Sequence, residues 1–207
     1  FVHALIKYIM DFLIDFFTEN FQNCVWVAAI LIALCPTLES KIAIPLAMNT
    51  AFWGGNSLSP IFALFVGFVG SILPCYFAMI LARKIKSKAT GFVSSKLIEK
   101  YSRKSQYILL SNSNFKKYLM LATFVAVPLP LTGVWSGSLI AGFSGLDLKY
   151  SFIAIAIGAF ISAAAITILC TVFENSIPYI LMISLLIVIV VLTVSLLFDL
   201  FKSKKKV

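Results

Sequence analysis

Acidic side chains are scarce in this 207-residue chain: 8 Asp and Glu stand against 17 Lys and Arg, and the single histidine is His3. With one histidine at the very start, no Ser/His/Asp triad can be assembled, so nucleophile–base catalysis is not expected. The four cysteines, Cys24, Cys35, Cys75 and Cys170, share no paired spacing and all lie in apolar stretches. That pattern predicts packing residues, with neither a metal site nor a disulfide framework. A glycine-rich phosphate loop is also missing, and no cofactor is implied. Nor is a secretory leader legible at the start, where no basic segment precedes a short apolar core and a small-residue cleavage site.

Apolar residues dominate instead. They make up 61% of the chain, and the mean hydropathy is +1.02. A soluble domain of this length could not cover so much apolar surface, since soluble chains run nearer half apolar. Nineteen Phe suit contact with lipid. The chain is expected to be a single integral membrane domain over 1–207, all-α and polytopic.

The apolar stretches are of two kinds. Residues 60–82, 150–173 and 178–200 are long enough to cross a hydrocarbon core, which takes about 20 residues. The others are too short and come in pairs. Residues 24–35 and 42–53 flank Pro36 to Lys41, and residues 118–127 and 134–146 flank Pro128 to Gly133. A helix of about 12 residues reaches only about 18 Å, so each pair predicts a re-entrant helical hairpin. Residues 4–19 carry Lys7, Asp11 and Asp15 four apart on an otherwise apolar helix, which predicts an N-terminal amphipathic helix at the interface.

Charge placement sets the expected orientation. Segment 83–117 is a basic loop that includes Arg83, Lys84, Lys86, Lys116 and Lys117, and the tail adds Lys202, Lys204, Lys205 and Lys206. The positive-inside rule assigns both to the cytoplasmic side of the inner (plasma) membrane. Residues 118–146 must then cross an even number of times, which again suits a hairpin. Hairpin plus span occurs at 24–82 and again at 116–173 with opposite orientation, followed by the extra helix 178–200. The expectation is thus an inverted-topology repeat with about three full spans, a transporter pattern. The basic bulk, net charge +9, is explained by this topology and by attraction to anionic membrane lipids. No nucleic-acid motif accompanies it. Homo-oligomerisation stays open.

Between residues 20 and 82 the only charges are Glu39 and Lys41. Ionisable groups at membrane depth are costly and point to a functional site. Two residues apart on a helix they would diverge, whereas on an extended tip they would share a side. Flanked by Pro36 and Pro45, the pair is expected on an extended tip, with Glu39 carrying a proton or cation and Lys41 an anionic head group. The blander reading is that they neutralise each other and pin the hairpin. The second hairpin brings no charge between Tyr118 and Leu146. There Pro128 and Pro130 end one half-helix and Thr132 is expected to cap the next, leaving a positive helix end near which Glu39 or an anionic substrate would lie. Gly133, Gly137 and Ala141, four apart, would allow close helix approach. Asn49 and Thr50 would line a cavity or cap a helix. The full candidate set for substrate or ion contact is Glu39, Lys41, Pro45, Asn49, Pro128, Pro130, Thr132, Gly133, Trp135 and Ser136.

Two stretches carry a family resemblance. Pro36-Thr-Leu-Glu39-Ser-Lys41-Ile-Ala-Ile-Pro45-Leu-Ala resembles the first motif of the small multidrug export protein family. Val127-Pro-Leu-Pro130-Leu-Thr132-Gly133-Val-Trp135-Ser-Gly137-Ser-Leu-Ile-Ala-Gly142 resembles the second. That family is in turn distantly similar to the DedA membrane proteins, which have paired re-entrant hairpins and are associated with moving polyprenyl-phosphate carriers or phospholipids between leaflets. The resemblance implies a transporter or flippase for an amphipathic, anionic, lipid-like substrate, coupled to protons or cations through Glu39. An exporter of hydrophobic compounds, cations included, is the rival within transport. A membrane-organising protein that moves nothing is the rival outside it.

Overall fold

The computed structural model describes residues 19–36, 38–88, 114–129 and 132–173, and every regular element among them is helical. The amphipathic helix expected over 4–19 lies outside them but for Glu19. So do the span over 178–200, the tail lysines, residues 89–113 of the basic loop, and Pro130.

The first hairpin consists of α1 (Val25–Leu34) and α2 (Glu39–Met48). The turn between them follows from Pro36. Cys35 precedes that proline and takes extended backbone, φ −67° and ψ 129°, because proline crowds a helical predecessor. The second arm starts three residues before the expected Ile42, so Glu39 and Lys41 occupy its first turn and not an extended tip. Pro45 is likewise inside α2, where its missing N–H leaves the Lys41 carbonyl without an in-helix donor. The helix stops soon after, at Met48. Asn49 is extended there and caps a single further turn, α3 (Thr50–Trp53), its Oδ1 accepting from Phe52 N at 3.2 Å.

The expected span from residue 60 forms α4 (Pro60–Ile72) and α5 (Cys75–Lys88), broken at Leu73-Pro74 where proline interrupts the ladder. Together, Pro60–Ser87 is long and apolar enough to cross a membrane, as is Leu148–Val172. The basic run begins inside α5: Arg83, Lys84 and Lys86 are helical, not loop. The second hairpin consists of α6 (Asn114–Ala126) and α7 (Val134–Ser144), with Gly145 at φ 75° ending α7 in the left-handed conformation that favours glycine. Asp147 caps α8 (Leu148–Val172), accepting from Lys149 N and Tyr150 N.

The two long elements run antiparallel. Ala63 and Val66 near the start of one share a core with Ala163, Ile166 and Cys170 near the end of the other. Cys75 and Met79 share a second core with Ala154, Ile155 and Ala159. Val25, Ala28, Ile44 and Ala47 of the first hairpin join the first core; Leu121, Val125, Val134 and Ile140 of the second join the other. The hairpins therefore occupy opposite ends of the bundle and point at each other.

Alanines are concentrated inside the bundle beside a smaller set of bulky residues such as Ile44, Met79, Leu121 and Ile155. Ala28, Ala33, Ala43, Ala78, Ala82 and Ala163 are fully buried, while Phe65, Phe77, Phe115, Ile61 and Ile168 are more than 60% exposed. An outer belt so apolar would aggregate in water and suits lipid. Close approach explains the small residues: a Cβ on Gly158 would lie 2.9 Å from Val125 Cβ and collide with the Ala122 carbonyl, so α8 and α6 meet backbone to backbone. Cys75 and Cys170 pack as expected, whereas Cys24 and Cys35 are exposed.

Candidate functional site

The two hairpin tips meet, and the Glu39–Lys41 ion pair is at the meeting point. Glu39 is 5% exposed and opens α2 with φ 50°, a left-handed value that a side chain resists by about 1–2 kcal/mol. Non-glycine residues hold such angles only where surrounding contacts insist on them. Here the contacts are specific. Glu39 Oε1 accepts from the backbone N of Trp135 at 3.2 Å, and Oε2 lies 3.3 Å from Lys41 Nζ. Lys41 Nζ also donates to the backbone carbonyl of Thr132. Both members of the first hairpin's charged pair thus bond to the second hairpin as well as to each other. The expectation that residues two apart would diverge on a helix fails because Glu39 is the first, left-handed residue of its helix and both side chains are long.

The positive end of α7 is where the carboxylate docks. Trp135 is in its first turn, so its N–H has no partner within the helix and points outward with the dipole. Thr132 does not cap this helix, contrary to expectation. Gly133 takes the cap position, and Ser136 Oγ accepts from Gly133 N at 3.0 Å while donating to Gly133 O. The Thr132 hydroxyl turns back instead, its one proton shared between Val127 O and Leu129 O at 2.8 and 2.9 Å, closing the tip on its own first arm. Gly133 is needed for another reason. A Cβ there would overlap the Glu39 carboxylate, 2.6 Å from its Cδ.

A second tie joins the tips: Trp135 Nε1 donates to Leu34 O, the last carbonyl of α1, at 3.1 Å. The remaining candidates are structural neighbours. Pro45 is buried in α2, Asn49 caps α3, and Pro128 is exposed on the second tip. Four groups went unread in the sequence. Ser71 Oγ, buried in α4, accepts from Ser40 N at 2.8 Å and so satisfies a first-turn donor of α2. Ser138 Oγ lies 3.2 Å from Cys75 Sγ, joining α7 to α5. Ser71 is the only serine between Pro60 and Ala82, four residues after Gly67, and that was the available signal. Lys86 Nζ and Arg83 Nη2 donate to Phe143 O and Leu146 O, closing the far end of α7 with cations.

Two membrane-length apolar elements, short paired helices and a buried ion pair at the tip contact suit a helical membrane protein. Residues 39–166 match the family described as "Putative small multi-drug export protein". The chain belongs to that family. The match begins at Glu39 itself, after α1 and the Pro36 turn, and takes in the second tip. No curated protein and no solved structure matches the chain.

Proposed function

We propose that the protein exports small hydrophobic compounds across the membrane through a site between the two hairpin tips, with Glu39 as its proton or cation handle. The observation that carries this reading is the placement of one buried carboxylate at the contact of the two tips, within a family named for export. The arms α1, α2 and α7 are 10, 10 and 11 residues long, about half of what a crossing needs, which supports re-entrant hairpins in an inverted pair. Lipid on the outer belt covers the exposed Phe and Ile side chains. The end carrying Arg83, Lys84 and Lys86 would face the cytoplasm.

Export of hydrophobic compounds replaces the lipid flippase as the leading reading. Lys41, the cation that would hold an anionic head group, is spent on Glu39 and the Thr132 carbonyl. The likeness to DedA proteins adds no support, because no solved structure matches the chain. The test is efflux of a panel of hydrophobic dyes from vesicles reconstituted with the full chain, under an imposed proton gradient. Wild type should move at least one dye, and Glu39→Gln should not. Wild-type vesicles that behave as empty ones across the panel would sink the proposal and favour a membrane-organising role.

A further inference from the structure

Close backbone approaches sort the helices into two groups. In the first, a Cβ on Gly67 would collide with Ile44 and one on Gly70 with Ala33, so α4 presses on α2 and α1. In the second, Gly142 meets the Met79 carbonyl, Gly137 meets Val125 and Gly158 meets the Ala122 carbonyl, which locks α5, α6, α7 and α8 together. Each of these contacts stays inside one group. Helices interlocked this closely move as one body, because packed interiors deform little. The division is not that of the sequence repeats: α5 continues the first span, yet it is fixed to the second hairpin.

The chain passes between the two bodies at Leu73-Pro74. Pro74 has no N–H, so the Gly70 carbonyl loses its in-helix donor and the rod is weakest there. Two bonds bracket the break, each within its own body. Ser71 Oγ accepts from Ser40 N on one side, and Ser138 Oγ lies 3.2 Å from Cys75 Sγ on the other. Each half of the broken helix thus carries one hairpin with it. Hydrogen bonds that cross between the bodies gather at the tips: Glu39 to Trp135 N, Lys41 to Thr132 O and Trp135 Nε1 to Leu34 O. Along α8 the seam is side chain against side chain, with Ala163, Ile166 and Cys170 packed in the first core.

We infer that Leu73-Pro74 is a hinge and the tip contact is its latch: the two bodies rock about the proline, and the tips part while each hairpin stays fixed to its own half of the broken helix. Closed, the contact admits nothing, with the Lys41 and Glu39 side chains 10% and 6% exposed. Anything that reaches the carboxylate therefore requires the tips to separate. In lipid an apolar seam has no hydrophobic drive to stay shut, so the polar bonds at the tips hold the closed state. What the opening serves rests on the export reading; the movement itself does not.

Distances between paired spin labels on the full chain in lipid nanodiscs test this. Cys35, exposed on the first tip, is paired with Leu129→Cys, exposed on the second. Cys24→Ser removes the other exposed thiol, and Cys75 and Cys170 are buried. Cys35 with Ile61→Cys lies within the first body and serves as the control. Glu39→Ala/Lys41→Met unties the latch and leaves no buried charge; Trp135→Phe is milder and removes only the tie to Leu34 O. Either should lengthen the tip pair by more than about 2 Å, the scale of a domain rearrangement, and leave the control unchanged. Pro74→Ala gives the Gly70 carbonyl its donor back, and added to an untied chain it should return the tip pair toward the wild-type distance. Three results overturn the inference: untied tips that stay together, a control that lengthens as much as the tip pair, or tips that part as far with Pro74→Ala as without it. Dye efflux is read separately. Tip movement in a chain that exports no dye would keep the hinge and remove the export reading, and efflux without tip movement would do the reverse.

Discussion

Gly133 and Glu39 interlock: the carboxylate occupies the space that any side chain at position 133 would take. The first tip can meet the second only because that residue is glycine. Gly133→Ala should push the carboxylate off Trp135 N and cost about 1–3 kcal/mol, the usual range for overpacking. The check is a thermal melt in detergent, with a stability equal to wild type arguing against the contact.

Glu39 and Lys41 should behave as a unit. Removing one partner leaves a buried charge and costs about 3–5 kcal/mol, whereas removing both leaves none. The Glu39→Gln/Lys41→Met double variant should therefore be more stable than the Lys41→Met single variant. A double-mutant cycle measures this, and additive losses would mean the pair is not coupled.

Ser71 supports the site from outside it. Ser71→Ala leaves the Ser40 N–H buried without an acceptor, at about 1–3 kcal/mol. The loss should localise to the start of α2, as faster hydrogen exchange at the Ser40 amide relative to α7 amides. Uniform exchange across both helices would be the contrary result.

At the far end of α7, Lys86→Met and Arg83→Met should each remove a cationic donor, from Phe143 O and Leu146 O respectively. A loss of about 1–3 kcal/mol per variant is expected, since a charged donor is removed from a helix end. Lys84→Met, on the same helix with no such carbonyl bond among those described, serves as the control and should lie within about 0.5 kcal/mol of wild type.

Much of this arrangement was legible in the sequence, and the reasons are physical. Pairs of apolar runs too short to cross a membrane marked α1 with α2 and α6 with α7, because length alone constrains a helix in hydrocarbon. Pro36 announced the first turn through its effect on Cys35. The attraction of Glu39 to the α7 end was readable from dipole reasoning, and the two are bonded. What sequence reasoning misplaced were the details that depend on tertiary contact. Glu39 and Lys41 looked like an extended tip, yet they occupy the first turn of α2. Thr132 looked like a cap, yet its hydroxyl turns back to Val127 O and Leu129 O and Gly133 takes the cap position. Ser71 was invisible because a lone serine in an apolar run says nothing until the helix end beside it is known.

The fully buried alanines and the exposed phenylalanines of the outer belt have a practical consequence for anyone varying this chain. In water, trimming a core phenylalanine is the damaging change; here Phe65, Phe77 and Phe115 are exposed on the outer belt, where lipid is as oily as they are. Damage should come from growth, not loss. Ala28, Ala43 and Ala163 should reject even valine, while Phe65 or Phe77 should accept leucine with little effect, so a saturation scan of this protein would look like a soluble one turned inside out.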